Sequence, residues 1–160
     1  MHGKLDLGKA KGLKKSEIKQ LNRILQQRIP AGKLLTIDLA ESVSEVSHST
    51  GHPISVVVNR RGQVVNVTLG HPSEVNMPEL RGVRVGPGRL CGHRIIHTSL
   101  DSKAAQAAKL SFRKEDLQCL LKNRLDAIAQ ITVNTDGDFS RSKGEQTRFA
   151  DVVHIAHILP

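Results

Sequence analysis

Two valine-rich runs separated by a short polar turn dominate the middle of the sequence. The runs are Ile54–Val58 and Val64–Leu69, and Arg60-Arg61-Gly62 lies between them. β-Branched residues favour strands, and glycine adopts the positive φ of a tight turn more easily than any other residue. The pattern therefore predicts a β-hairpin over Ile54–Leu69.

Three further strands follow from the same reasoning. Residues 70–91 contain Pro72, Pro78 and Pro87 with four glycines, which predicts a long loop. The loop leads into a β-branched run that ends in His97-Thr98-Ser99. Residues 125–133 and 149–159 predict two more strands, separated by a polar turn and antiparallel if they form a hairpin.

Helical periodicity appears on both sides of the hairpin. Apolar residues recur at helical spacing between Lys14 and Arg28, and Thr36 is a suitable cap for a second helix that ends at Gly51. Residues 104–124 predict a helix in two pieces, with Ser111 capping the second piece. The expected buried face of that piece contains Leu117, Leu120 and Leu121.

These elements predict an α/β fold with a mixed β-sheet, an N-terminal helical hairpin and further helices packed on the sheet. The length of 160 residues is that of a single domain. We expect a flexible lead-in over 1–13 and one α/β domain over 14–160. Within that domain, 14–50 would be the helical hairpin and 53–160 the mixed-sheet core.

The sequence is strongly basic, with 24 Lys and Arg residues against 15 Asp and Glu. A polyanion is the natural partner of such an excess, and nucleic acid is the commonest one; a solvated basic surface without a partner is the alternative. With three Phe, no Trp and no Tyr, stacking on unpaired bases is disfavoured, whereas contact with the phosphates of structured RNA is open. The residues expected to face RNA are Lys14, Lys15, Lys19, Arg23, Arg60 and Arg61.

Cysteine usage and hydropathy indicate a cytoplasmic protein. Cys91 and Cys119 are far apart in sequence and lie in apolar runs, which predicts two reduced, buried thiols. No apolar run reaches the length of about 20 residues that a membrane span requires. We therefore expect no membrane association.

Several segments resemble the N-terminal region that precedes the GTPase domain in long-form HflX proteins. Three of them are Asn59-Arg60-Arg61-Gly62-Gln63-Val64-Val65, Arg89-Leu90-Cys91-Gly92-His93-Arg94-Ile95-Ile96-His97-Thr98 and Arg124-Leu125-Asp126-Ala127-Ile128. The start, His2-Gly3-Lys4-Leu5, and the end, Ala156-His157-Ile158-Leu159-Pro160, are also similar. The resemblance covers nearly the whole chain.

HflX proteins are GTPases that bind the large ribosomal subunit and split or rescue stalled ribosomes. The resemblance implies that this chain assists such binding, with ribosomal RNA and a GTPase domain in cis as partners. No G-x-x-x-x-G-K-[ST] phosphate loop occurs in the sequence, so we expect no nucleotide hydrolysis by this chain itself. GTP and Mg²⁺ would belong to the attached GTPase, and we expect no cofactor in this chain.

The strand that ends near His97 is also similar to the metal-binding strand of the JAB/MPN metallopeptidase fold. In that fold two histidines and an aspartate hold zinc, and a glutamate activates the water. His97 matches the first histidine, Ser99 stands at the second position, and Asp116 could represent the aspartate; the hairpin 54–70 contains no carboxylate. We therefore predict a vestigial site at His97, Ser99 and Asp116 with no metal and no catalytic residue. A degenerate metallopeptidase-like scaffold for protein–protein contacts is the alternative function.

Overall fold

Six strands form one mixed β-sheet in the order β1-β3-β2-β4-β5-β6. The structure is a computed structural model that describes residues 3–8, 12–30, 32–70, 90–100, 112, 114–133 and 150–157. The strands are β1 Lys4–Asp6, β2 Ile54–Val58, β3 Val64–Leu69, β4 Arg94–Ser99, β5 Ala127–Val133 and β6 Ala150–His157. The described helices are α1 Lys15–Gln26, α2 Ile37–Thr50 and α3 Lys114–Asn123. The predicted α/β class and mixed sheet are confirmed.

The directions of neighbouring strands explain why the sheet is mixed. β1 runs parallel to β3 and β4 runs parallel to β5, whereas the β2–β3, β2–β4 and β5–β6 pairs are antiparallel. The predicted hairpin of β2 and β3 is confirmed, as is the antiparallel pairing of the last two strands. The α3 helix lies between the parallel strands β4 and β5 in sequence, as a parallel connection requires.

The helices cover both faces of the sheet. Leu21 and Ile24 of α1 and Val43 of α2 pack on one face in a core that also contains Val56 and Ile131. On the opposite face, residues of α3 and of the sheet share a second, smaller core, whose members are Val57, Leu90, Ile95, Cys119, Leu120, Leu125 and Ile128. The helical hairpin, the sheet and α3 therefore form three layers.

Local sequence signals set the limits of α2 as predicted. The Thr36 hydroxyl accepts a hydrogen bond from the Leu39 N–H at 3.3 Å, which satisfies one of the free donors at the helix start. Gly51 ends the helix in the left-handed conformation at φ 66°. A buried hydroxyl pair ties this helix to the sheet, because Ser47 Oγ lies 2.8 Å from Thr98 Oγ1. Thr98 Oγ1 also accepts the Ile54 N–H at 2.8 Å.

Within the segment 1–13, for which a flexible lead-in was predicted, Lys4–Asp6 forms β1. Its register pairs Leu5 with Val67 of β3. Leu5 and Leu7 are partly buried against the larger core, so the alternation of these two leucines is a strand pattern. The strand supplies hydrogen-bonding partners along β3 on the side opposite β2.

The predicted buried face of the last helix is partly wrong. Leu120 is buried, but Leu117 is 42% exposed and Leu121 is 65% exposed. The buried stripe instead contains Asp116, Cys119 and Leu120, whose spacing of three and four residues places them on one side of a helix. The apolar pattern misled the prediction because a carboxylate occupies a buried position that a leucine would ordinarily take.

Some predictions fall outside the described residues. These are the loop over 71–89, the first piece of the helix over 104–110, the Ser111 cap and the polar turn over 134–146. Among the residues that the structure describes, no helix is both long enough and apolar enough to cross a membrane.

Candidate functional site

Five cationic side chains line a cleft at one end of the sheet, where β2 ends and β3, β4 and β5 begin. The cleft has a volume of about 480 Å³. Among the described residues that line it, the cations are Arg28, Lys33, Arg60, Arg61 and Arg94, and the acid is Asp126. We refer to these five cations and Asp126 as the basic cleft.

Backbone contacts between the end of α1 and the hairpin turn build one wall of the basic cleft. The Ile29 N–H donates to the Gly62 carbonyl at 2.7 Å, and Arg28 Nε donates to the Arg61 carbonyl at 3.3 Å. Gly62 has a φ of 76°, and a Cβ there would lie 2.0 Å from the Ile29 carbonyl oxygen. Only glycine permits this approach, so the contact holds Arg28 beside Arg61.

The hairpin turn itself is fixed by a side chain. Asn59 Oδ1 accepts the Arg61 N–H at 2.9 Å and the Gln63 N–H at 3.0 Å. Asparagine side chains commonly stabilise turns in this way. The turn therefore presents Arg60 and Arg61 from a rigid backbone.

The loop before β4 contacts two residues of the basic cleft, Arg60 and Asp126. Gly92 has a φ of 81°, and a Cβ there would lie 2.4 Å from Nε of Arg60. The absence of a side chain at Gly92 thus provides the space in which the Arg60 guanidinium lies. The Gly92 N–H donates to Asp126 Oδ1 at 2.9 Å, which joins this loop to the start of β5.

Arg94 is a partly buried cation of the cleft. Its guanidinium donates a short hydrogen bond to the Lys33 carbonyl, and this contact holds the loop between α1 and α2. Burial lowers the pKa of Arg94 below its ordinary value, and the nearby Asp126 carboxylate opposes that effect. A partly desolvated guanidinium gains more from an anionic ligand than a fully hydrated one, because the lower local dielectric strengthens the attraction.

The structure separates the six predicted RNA-facing residues into two groups. Arg60 and Arg61 line the basic cleft. Lys15, Lys19 and Arg23 are exposed on α1 at intervals of four residues, which places them along one side of the helix. We refer to these three residues as the α1 stripe; Lys14 caps the helix directly before it. Since α1 has 12 residues, its start lies about 18 Å from its end near the cleft.

Sequence reasoning did not select Arg28, Lys33 or Arg94. The first two are far from Arg60 in sequence, and only the packing of the α1 end on the hairpin turn brings them there. The register of β2 with β4 pairs Val58 with Arg94 and so places Arg94 beside the turn. A correct antiparallel pairing of these strands would have predicted the position of Arg94 but not that of Lys33.

The predicted vestigial site is partly assembled on the face of the sheet that α3 covers. His97 Nε2 of β4 lies 3.5 Å from Asp116 Oδ1 of α3. Asp116 is fully buried, and His97 and Ser99 are nearly so. Ser99 lies two residues farther along β4, on the same side of the sheet as His97. Among the described residues, no group of three or more His, Cys, Asp or Glu side chains could hold a metal ion.

Polar residues of neighbouring strands surround His97. The register pairs Ser55 with both Thr68 and His97, and pairs His97 with Gln130. These four buried residues form a polar row across β3, β2, β4 and β5. The row and the His97–Asp116 pair supply hydrogen-bonding groups beneath α3. Of these residues, His97 and Asp116 are the two whose side chains ordinarily bind zinc.

No protein-family model, curated protein or solved structure matches this chain. The basic cleft and the α1 stripe are exposed to solvent, whereas the His97–Asp116 pair is buried. A macromolecular partner can reach the two basic surfaces directly.

Proposed function

We propose that this protein is the non-catalytic N-terminal module of an HflX-type GTPase. In this role it helps the enzyme bind the large ribosomal subunit during ribosome splitting or rescue. The observation that carries the proposal is the convergence on the basic cleft of five cations from three separate segments, namely the α1–α2 connection, the hairpin turn and the start of β4. The order and spacing of the HflX-like segments in the sequence support the same assignment.

The charge of the cleft favours RNA phosphates as its ligand. The described residues that line the cleft include five cations and one carboxylate, a net charge of 5 − 1 = +4. Such a surface releases condensed counterions when it binds a nucleic acid, which is a large part of the affinity at moderate salt. The scarcity of aromatic residues favours recognition of phosphates and shape over stacking on bases.

The remaining partners follow from the same proposal. The GTPase domain in cis would supply the phosphate loop and bind GTP and Mg²⁺, because the G-x-x-x-x-G-K-[ST] pattern is absent from this chain. The ribosome is the target, so the protein acts in the cytoplasm. No reaction is assigned to this chain.

Co-sedimentation with large ribosomal subunits tests the proposal. The test variant is Lys33→Gln/Arg61→Gln, because both side chains are exposed and line the cleft. The matched control is Lys114→Gln/Lys122→Gln, which removes the same charge from α3 on the other side of the sheet. We expect the wild type and the control to sediment with subunits at about 50 mM salt and to dissociate at about 200 mM.

The test variant should be largely lost from the pellet at the lower salt concentration. Equal binding by the test variant and the control would remove the cleft from the interface. Binding of the wild type that does not change with salt would contradict the electrostatic account. Absence of any binding at low salt would contradict the proposed function.

A metallopeptidase-like scaffold for protein contacts is the second candidate. It is favoured by the exposure of Leu117 and Leu121 on α3 and of Ile155 on β6, since exposed apolar residues are common at protein interfaces. In this case Leu117→Ser/Leu121→Ser should abolish capture of the GTPase domain and leave RNA binding unchanged. Retained capture would argue against the scaffold.

A further inference from the structure

One carboxylate lies among the five cations of the basic cleft. Asp126 precedes β5, is exposed to solvent and lines the cleft. A negative charge at this position repels the phosphates that the surrounding cations attract. Two structural roles accompany this repulsion, because Asp126 accepts the Gly92 N–H and offsets part of the cost of burying Arg94.

The structural contacts of Asp126 use only part of its hydrogen-bonding capacity. Its Oδ1 accepts the Gly92 N–H at 2.9 Å. An ionised carboxylate has two oxygens and about four acceptor positions. Within the described part of the chain no other hydrogen bond reaches this carboxylate, so it keeps acceptor positions for a ligand in the cleft.

The chemistry of a nucleic-acid backbone limits what such an acceptor can recognise. A carboxylate only accepts hydrogen bonds, and the phosphate oxygens and sugar ether oxygens of a backbone only accept them too. The ribose 2′-hydroxyl is the one hydrogen-bond donor in the interior of an RNA backbone, and DNA lacks it. An acceptor placed among phosphate-binding cations thus finds a partner in RNA and only repulsion in DNA.

We propose that Asp126 accepts a hydrogen bond from a ribose 2′-hydroxyl and makes the basic cleft selective for RNA over DNA. This inference rests on the proposed function, because it takes the cleft to be the RNA-binding surface. Arg94 lies close enough to Asp126 for the two charges to interact, and it would bind a phosphate beside the recognised ribose. The cations supply affinity, and Asp126 supplies the choice of sugar.

Binding of three hairpins of one sequence tests the inference. The hairpins are RNA, 2′-O-methyl RNA and DNA, and the affinity of each is measured by fluorescence anisotropy with the whole chain. The 2′-O-methyl hairpin keeps the phosphates and the A-form shape but lacks the donor. We expect the wild type to bind RNA about tenfold more tightly than 2′-O-methyl RNA, which corresponds to the loss of one hydrogen bond to a charged group.

The variant Asp126→Asn separates the two effects of the carboxylate. Its amide oxygen can still accept the Gly92 N–H, so the loop should keep its position. Its NH₂ group replaces the second carboxylate oxygen and cannot accept the 2′-hydroxyl proton, so we expect the variant to bind RNA and 2′-O-methyl RNA equally. It should bind DNA more tightly than the wild type does, because the repulsion is gone. Unchanged unfolding in urea would confirm that the fold is retained.

Three results would overturn the inference. The first is equal affinity of the wild type for RNA and 2′-O-methyl RNA, which leaves the proposed function intact if binding is salt-dependent. The second is a preference for RNA that persists in Asp126→Asn. The third is no binding of any hairpin by the wild type, which removes the proposed function and the inference together.

Discussion

His97 and Asp116 form a buried pair whose two members come from a strand and a helix. Their nearest polar atoms are 3.5 Å apart, and Asp116 is fully buried. Removing one partner from a buried polar pair leaves the other in a poorly solvated site. We therefore expect His97→Leu to lower the free energy of unfolding by about 1–3 kcal/mol.

A double-mutant cycle in urea measures how strongly the two residues interact. The cycle compares His97→Leu, Asp116→Leu and the double variant with the wild type. Residues in contact ordinarily show a coupling energy of about 0.5–3 kcal/mol. A coupling energy of zero would mean that the pair makes no net contribution to stability.

Arg94 should contribute to RNA binding equally over the neutral and mildly alkaline range. Burial lowers the pKa of Arg94 in the folded protein, so burying the charged guanidinium costs folding free energy. This cost is present at neutral pH and falls only as the pH rises through the folded-state pKa of Arg94. Arginine remains charged in proteins at ordinary pH. Arg94→Gln should therefore weaken RNA binding by the same factor at about pH 7 and about pH 9. A mutational effect that disappears at the higher pH would show that Arg94 titrates in this range.

At the scale of elements, α3 offers a direct comparison between two neighbouring leucines. Leu120 is buried in the smaller core, whereas Leu121 is 65% exposed. Leu120→Ala should destabilise the protein by about 2–5 kcal/mol, because it removes packed atoms and leaves a cavity. Leu121→Ala should change stability by no more than about 0.5 kcal/mol. Equal effects in urea unfolding would contradict the orientation of α3.

The α1 stripe can be tested separately from the basic cleft. Reversing Lys15, Lys19 and Arg23 to Glu should weaken RNA binding because it places three negative charges along one helix face. The fold should be retained, since all three side chains are exposed and an acidic residue at the helix start favours the helix dipole. Circular dichroism and anisotropy measure the two quantities. Unchanged affinity would leave the cleft as the RNA-binding surface without the α1 stripe.

At the scale of the whole molecule, local sequence signals predicted most elements but not their arrangement. The valine-rich runs predicted the hairpin, and Thr36 and Gly51 predicted the limits of α2, because these signals act between residues close in sequence. The short strand β1 was missed, because the alternation of only two leucines, Leu5 and Leu7, is a weak strand signal. Its pairing with β3 involves residues about 60 positions apart.

The candidate site was predicted only in part for the same reason. The charge of the turn made Arg60 and Arg61 obvious candidates. Arg28 and Lys33 reach the cleft through the approach of the α1 end to Gly62, which no local signal in the sequence indicates. Likewise, Asp126 becomes significant only when the β4–β5 register places the start of β5 beside Arg94.

The salt dependence of RNA binding tests the central claim most directly. The affinity of the wild type and of Lys33→Gln/Arg61→Gln for one RNA hairpin is measured over a series of salt concentrations. Each lost phosphate contact should reduce the slope of log affinity against log salt by about 1. We predict that the variant's slope is smaller by about 2 and that Lys114→Gln/Lys122→Gln keeps the wild-type slope. Identical slopes for all three proteins would contradict an RNA-binding role for the basic cleft.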